Sequence, residues 1–93
     1  MTASNLNVFT KDPNATLDYS VDWTNWLDTD TIASVVWVVP AGITQSSVSN
    51  TTKVATIWLS GGTTGKFYNI TCRITTTGGR IDDRTITITV RER

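Results

Sequence analysis

The sequence predicts an all-β fold in which about six or seven strands form two antiparallel sheets packed face to face. Threonine fills 19 of the 93 positions, and β-branched residues suit the pleated, half-buried surface of a sheet. Several segments alternate apolar and polar residues with the two-residue period of a strand. Clusters of Gly, Pro, Asn and Asp separate these segments and favour turns. A partly open barrel is the alternative arrangement of the same strands.

The first predicted strand begins at Leu17 and alternates apolar with polar residues. Its predicted inner face consists of Leu17, Tyr19, Val21 and Trp23. Trp26 and Leu27 return to apolar surface, and the polar residues 28–30 favour a turn. The period assigns Trp23 to the core. It leaves Trp26 open between a plug at the end of the sandwich and a contact surface.

The middle of the chain predicts two further strands. Residues 32–39 form an apolar run that Pro40 and Gly42 close, and Trp37 is its natural centre for a core. The polar residues 44–52 predict a loop or a weak edge strand. Residues 53–59 resume strand character, and their aromatic residue, Trp58, is assigned to the core with Trp23 and Trp37.

The clearest alternation begins after a glycine-rich turn. One face of this strand carries Tyr68, Ile70, Cys72 and Ile74. A hairpin loop at Gly78 and Gly79 leads into a last alternating strand over residues 85–90. The segment GKFYNITCRITTTGGRIDDRTITITV resembles the end of bacterial immunoglobulin-like and polycystic-kidney-disease-type domains. That resemblance implies an immunoglobulin-like β-sandwich in which Tyr68 caps a corner.

Charge and cysteine content exclude several classes of protein. The eight basic and eight acidic residues give zero formal charge, so no electrostatic argument favours binding to nucleic acid or to an anionic membrane. The lone Cys72 cannot form an internal disulfide, which suits folding in a reducing cytosol. The first residues lack the pattern of a signal peptide, and no apolar run has the length of a membrane span.

The sequence predicts no enzyme, no cofactor and no metal site. It contains no histidine, the commonest general base and metal ligand. Cys72 alternates with core residues and is interpreted as a buried structural thiol. Asp82 and Asp83 lie between Arg80 and Arg84, where solvated charge pairs are the ordinary outcome.

The whole chain also resembles a family of small proteins encoded by tailed bacteriophages and prophages. The resemblance covers Lys11 to about Arg93 and rests on KDPNATLDYSVDWTNWL, DTIASVVWVVPAGIT, VATIWLSGGTTG and YNITCRITTTGGRIDDRTITITV. The order of these segments carries it, together with the D-W-x-x-W-L and W-L-S-G-G pairs. The resemblance implies a virion structural protein of immunoglobulin-like fold, of the kind often labelled a fibre-tail adaptor.

We therefore expect an N-terminal arm over residues 1–14, ordered on assembly, and a sandwich domain over residues 15–93. The expected partners are other virion proteins of the tail, neck or capsid, contacted by repeated copies in a ring or capsid lattice. The protein is expected to fold in the cytoplasm of the bacterial host before entering the particle. The residues predicted to make protein contacts are Lys11, Asp12, Trp26, Arg80, Arg84, Arg91 and Arg93.

Two other functions compete with a tail or neck adaptor. A decoration or cement protein would use the same fold to clamp capsid subunits. A carbohydrate-binding module would hold a host surface, with Trp26 as an aromatic platform and Asp28 as a polar sugar contact. Copy number in the particle separates the first alternative from an adaptor, and glycan binding separates the second.

Overall fold

The structure, a computed structural model, describes residues 8–92. These residues contain seven strands and one short helix. Their bounds are β1 (Val8–Lys11), β2 (Leu17–Asp22), α1 (Thr24–Leu27), β3 (Ile32–Val38), β4 (Ile43–Asn50), β5 (Val54–Gly61), β6 (Phe67–Thr76) and β7 (Ile81–Val90). Within this described part of the chain, no helix has the length and apolar character needed to cross a membrane.

The strands form two sheets that pack face to face around one core. The four-stranded sheet has the order β1-β7-β6-β3, and the three-stranded sheet has the order β2-β5-β4. Strand β1 runs parallel to β7, whereas every other neighbouring pair is antiparallel. The predicted immunoglobulin-like β-sandwich is therefore confirmed, and the barrel alternative is wrong.

The core is built from the inward face of each central strand, as the two-residue period predicts. Tyr19, Val21 and Trp23 are buried, while Leu17 packs against the core from its edge. Strand β6 buries Cys72 within the apolar set that the sequence assigns to it. The other buried apolar side chains are Leu27, Ile32, Ile43, Ala55, Ile57, Leu59, Tyr68, Ile70, Ile74, Ile86, Ile88 and Val90.

The core predictions for Trp37 and Trp58 have different outcomes. Trp37 packs against the core as predicted, although it is only half-buried on the edge strand β3. Trp58 is 39% exposed, so its assignment to the core is wrong. The inward residues of β5 are Ala55, Ile57 and Leu59, which places Trp58 on the outer face of the sheet.

Strand β4, helix α1 and strand β1 differ in how far the sequence predicted them. Of the two alternatives for residues 44–52, the edge strand is confirmed by β4, which has a bulge between Gln45 and Ser47. Helix α1 was not predicted. The residues of β1 fall inside the predicted arm but pair with β7, and residues 1–7 lie outside the described residues. The division of the chain at residue 14 remains a prediction.

Candidate functional site

The predicted contact residues fall into two groups at opposite ends of β7. Arg80 and Arg84 lie near its start, where α1 brings Trp26. Arg91 follows its last residue, and the main-chain N–H of Arg91 donates to the Lys11 carbonyl at 3.0 Å. Arg80 and Arg91 flank the ten residues of β7, which span roughly 33 Å at about 3.3 Å per residue. We refer to the two groups as the tryptophan end and the lysine end. Arg93 lies outside the described residues.

Local hydrogen bonds shape the tryptophan end. The Asp22 carboxylate accepts from the Thr24 N–H at 2.9 Å and from the Thr24 hydroxyl, which turns the chain directly after β2. These bonds hold the pKa of Asp22 below its usual value, with the Thr24 hydroxyl as the largest cause. The turn drives the Trp23 side chain into the core and begins α1. One turn later, Trp26 meets Trp23 edge-on, with ring centroids 5.3 Å apart and planes at 70°.

Two arginines cover the tryptophan rings. The Arg80 guanidinium carbon lies 4.2 Å from the centroid of the Trp26 ring. The Arg84 guanidinium carbon lies 4.4 Å from the Trp23 ring, and its Nη1 donates to the Asp22 carbonyl at 3.0 Å. Each pair has the geometry of a cation–π interaction. Trp26 is consequently a half-buried plug with a ring face covered by Arg80, which weakens the idea of a free sugar platform.

Asp30 ties the β6–β7 turn to the segment that follows α1. Its carboxylate accepts from the N–H of Thr31 at 2.8 Å, the N–H of Gly78 at 3.1 Å and the Arg80 guanidinium at 3.2 Å. Hydrogen bonds from the Thr76 hydroxyl, from these two N–H groups and from the Arg80 side chain lower the pKa of Asp30 to about 2. At the tryptophan end, hydrogen bonds therefore link the segment between α1 and β3 to the turn between β6 and β7.

The lysine end is built around a buried ammonium group. Lys11 has no exposed surface, and its Nζ donates to the Gly61 carbonyl at 2.8 Å and the Asp12 carbonyl at 2.9 Å. Burial lowers the pKa of Lys11, while the Asp12 charge acts in the opposite direction. The Asp12 carboxylate accepts from the Asn14 N–H at 2.8 Å. The Lys11 side chain thus holds the β1 and β5 ends together from inside the domain, and its role in protein contact stays a prediction.

Tyr68 closes the corner beside this lysine, as the resemblance implied. Its hydroxyl accepts from the Thr63 N–H at 3.0 Å. The ring crowds the nearby Gly42, where an added Cβ would lie 3.0 Å from a Tyr68 ring carbon. At Gly62, a Cβ would lie 2.7 Å from Val90 Cγ2. The main chain at Gly42 and Gly62 thus packs directly against the Tyr68 and Val90 side chains at the lysine end.

The remaining reactive side chains are held in structural roles. Burial raises the pKa of the Cys72 thiol to about 11, so the nucleophilic thiolate is suppressed at neutral pH. Asp83 accepts two hydrogen bonds from Arg73, at 2.8 and 3.0 Å, and these bonds lower its pKa. Among the described residues, no three Cys, Asp or Glu side chains are placed to hold a metal ion.

Sequence reasoning missed one exposed aromatic residue, Trp58. It lies on the outer face of the three-stranded sheet, where its cross-strand partners are Asp18 on β2 and Ser47 on β4. The signal was present in the sequence, because Trp58 is out of phase with the apolar residues Ile57 and Leu59 on either side of it. Residue size outweighed the period in that assignment.

Comparisons with known proteins agree with this architecture. Residues 11–89 match the family model described as podophage GP4 fiber-tail adaptor protein gp77. The fold is similar to the solution structure of the PKD domain from KIAA 1837 protein, with a TM-score of 0.55 at 20% identity over 92% of this chain and 79% of that chain. Comparison with curated proteins gives no match.

Proposed function

Because this chain belongs to the podophage GP4 fiber-tail adaptor (gp77) family, we propose that it is a structural protein of the virion that docks at the tail or neck. It mediates protein–protein assembly there, joining tail or fibre subunits to the particle. The observation that carries this proposal is the family match over residues 11–89, which spans β2 to β6 completely and nearly all of β7.

The side-chain chemistry supports an adaptor that works by contact. The charged groups at both ends are engaged in holding loops, and the thiol of Cys72 is buried. A rigid sandwich with fastened ends presents the same surfaces in every copy, which suits repeated identical contacts in a symmetric assembly. The proposed partners are therefore other virion proteins, met by several copies arranged around the tail axis.

The exposed members of the predicted contact set are the proposed docking residues. Arg91 is exposed at the lysine end, and Arg80 is exposed while its guanidinium binds Asp30. Residues 1–7 precede β1 and are proposed to contact a neighbouring subunit on assembly. Deleting residues 1–7 leaves Lys11 and β1 in place, so loss of particle incorporation by this variant would assign the contact to the segment itself.

Copy number in purified particles tests the adaptor role. Quantitative mass spectrometry of separated head and tail fractions is expected to find a small count in the tail or neck fraction that matches ring symmetry. A count comparable to the major capsid protein in the head fraction would replace the adaptor with a decoration protein. Absence from both fractions would overturn a virion role.

A further inference from the structure

The tryptophan end contains two groups of the same composition. In the first, Arg80 lies over Trp26 and binds the Asp30 carboxylate. In the second, Arg84 lies over Trp23 and donates to the main-chain oxygen of Asp22, whose carboxylate also feels its charge. In both groups one arginine covers a tryptophan ring and donates to an aspartate residue, to the carboxylate of Asp30 in the first group and to the main-chain carbonyl of Asp22 in the second.

A third tryptophan and aspartate stand together on the surface without an arginine. Trp58 and Asp18 are directly opposed cross-strand partners, so their side chains share the outer face of the three-stranded sheet. Trp58 is 39% exposed, and Asp18 is exposed. Among residues 8–92, no side-chain hydrogen bond or ion pair engages the Asp18 carboxylate.

The surrounding charge favours a cation at this pair. Strands β2, β4 and β5 contain no lysine or arginine, and Asp22 adds a second exposed carboxylate on the same strand as Asp18. Lys53 lies just before β5, but its ammonium donates to the carbonyls of Asp28 and Asp30 at 2.9 and 2.8 Å. The outer face of the three-stranded sheet is thus acidic around one exposed aromatic ring.

We propose that Trp58 and Asp18 bind an arginine side chain on the surface of a neighbouring virion protein. The guanidinium stacks on the Trp58 ring while its N–H groups donate to the Asp18 carboxylate. A planar guanidinium can make both contacts together, whereas an ammonium acts as a point charge. Tryptophan and arginine are also among the residues most enriched at the few interface positions that contribute most of the binding energy. The proposal rests on the adaptor function for the identity of the partner as a virion protein.

A different protein is favoured over a second copy of this chain as the source of the arginine. Three of the described arginines, Arg73, Arg80 and Arg84, already bind Asp83, Asp30 and Asp22. Arg91 is the remaining described arginine, and the next residue in the chain is the acidic Glu92. The acidic face therefore finds its best electrostatic complement outside this chain.

Particle incorporation of matched variants tests the site. Asp18→Arg is expected to lower the number of copies per particle by about tenfold or more, because it places like charges together at the contact. Trp58→Ala is expected to cause a similar loss and Trp58→Phe a smaller one. Phe67→Ala, which removes a 66% exposed ring from the other sheet, is the control. Melting temperatures of the purified variants show whether each one folds.

A photo-crosslink identifies the partner without altering either residue of the pair. The probe is p-benzoylphenylalanine in place of Ser47, the other cross-strand neighbour of Trp58. An adduct with an arginine-containing segment of another virion protein would support the proposal. An adduct with a second copy of this chain would overturn the assignment of the partner.

The two proposals fail in different ways. Wild-type protein missing from particles would reject the adaptor function. Wild-type protein present, with folded Asp18→Arg and Trp58→Ala variants incorporated as well as the control, would reject only the arginine site.

Discussion

The tryptophan end and the lysine end hold loops in place by different chemistry. At the tryptophan end, half-exposed arginines lie over aromatic rings and bind an aspartate or a loop carbonyl. At the lysine end, the Lys11 ammonium is buried, and two main-chain carbonyls accept its hydrogen bonds. Arginine tolerates this intermediate exposure because its weakly hydrated, planar guanidinium combines stacking with hydrogen bonding. The Lys11 ammonium is instead fully enclosed by the protein, and this burial lowers its pKa.

The contrast predicts that the two ends respond differently to mutation and pH. The tryptophan end depends on an aromatic core residue and on a carboxylate that must stay ionised. The lysine end depends on a buried amine and on turns where only glycine fits. Four substitutions separate these contributions, in descending order of expected effect.

Trp23→Ala is expected to have the largest effect, because it removes a fully buried ring and the surface on which Arg84 lies. The expected loss in free energy of unfolding is about 3–5 kcal/mol, measured by urea denaturation. Trp58→Ala is the matched control, with an expected loss of about 1 kcal/mol because that ring is partly exposed. Equal losses at the two positions would contradict the assignment of Trp23 to the core.

Lys11→Ala tests the buried amine and is expected to cost about 2 kcal/mol, because it leaves loop carbonyls without their donor. Between the lowered pKa of folded Lys11 and its ordinary value of 10.5, the unfolded chain binds more protons than the folded chain. Wild-type stability should therefore rise with pH in that window, whereas the variant lacks this rise. Exposed Lys66→Ala should retain it, and an unchanged pH profile in Lys11→Ala would contradict the burial.

Gly62→Ala tests the close approach at the lysine end. The residue has a φ of +98°, and a Cβ would lie 2.7 Å from Val90 Cγ2. The expected cost is about 2 kcal/mol, from backbone strain and the clash together. Gly65→Ala is the control, because its φ is +88° but no heavy atom lies within 4 Å of the added Cβ. Thermal melts giving equal losses would show that the contact with Val90 contributes nothing.

Asp30→Asn is expected to have the smallest effect at neutral pH, and its pH dependence identifies the cause. The pKa of Asp30 is depressed to about 2, so its stabilising contribution is complete above the ordinary value of 3.8. The contribution is lost as pH falls through about 2, which should bring the melting temperatures of wild type and variant together in acid. If the difference in melting temperature between wild type and Asp30→Asn were the same at every pH, ionisation of Asp30 would not be the source of its stabilising effect.

The sequence predicted the central strands because their inner and outer faces differ in polarity. Tyr19 and Val21 on β2 and Ile86 and Ile88 on β7 keep the two-residue period, and all four are buried. The same period would have placed Trp58 outside, had it been weighed above the size of the side chain. Edge strands were harder to predict, because β4 is exposed at nearly every position and offers no apolar face to detect.

The candidate site was only partly predictable. Trp26, Arg80 and Arg84 were singled out from the sequence, and the structure brings them together. Trp26 and Arg80 are more than fifty residues apart in the sequence. No local sequence pattern could therefore predict their contact. The burial of Lys11 was not predicted, because lysine is seldom buried, and it follows from the parallel pairing of β1 with β7, a long-range event.

The parallel ladder between β1 and β7 also determines how the domain meets mechanical force. The chain enters β1 at Val8 and leaves β7 at Val90, and the ladder pairs Val8 with Thr87 and Lys11 with Val90. Tension on the entering and leaving chain would slide the two strands past each other along their axes. That shear loads all the ladder hydrogen bonds together, whereas peeling would break them one by one. The pairing of the outermost strands therefore gives the domain a geometry that resists pulling along the chain.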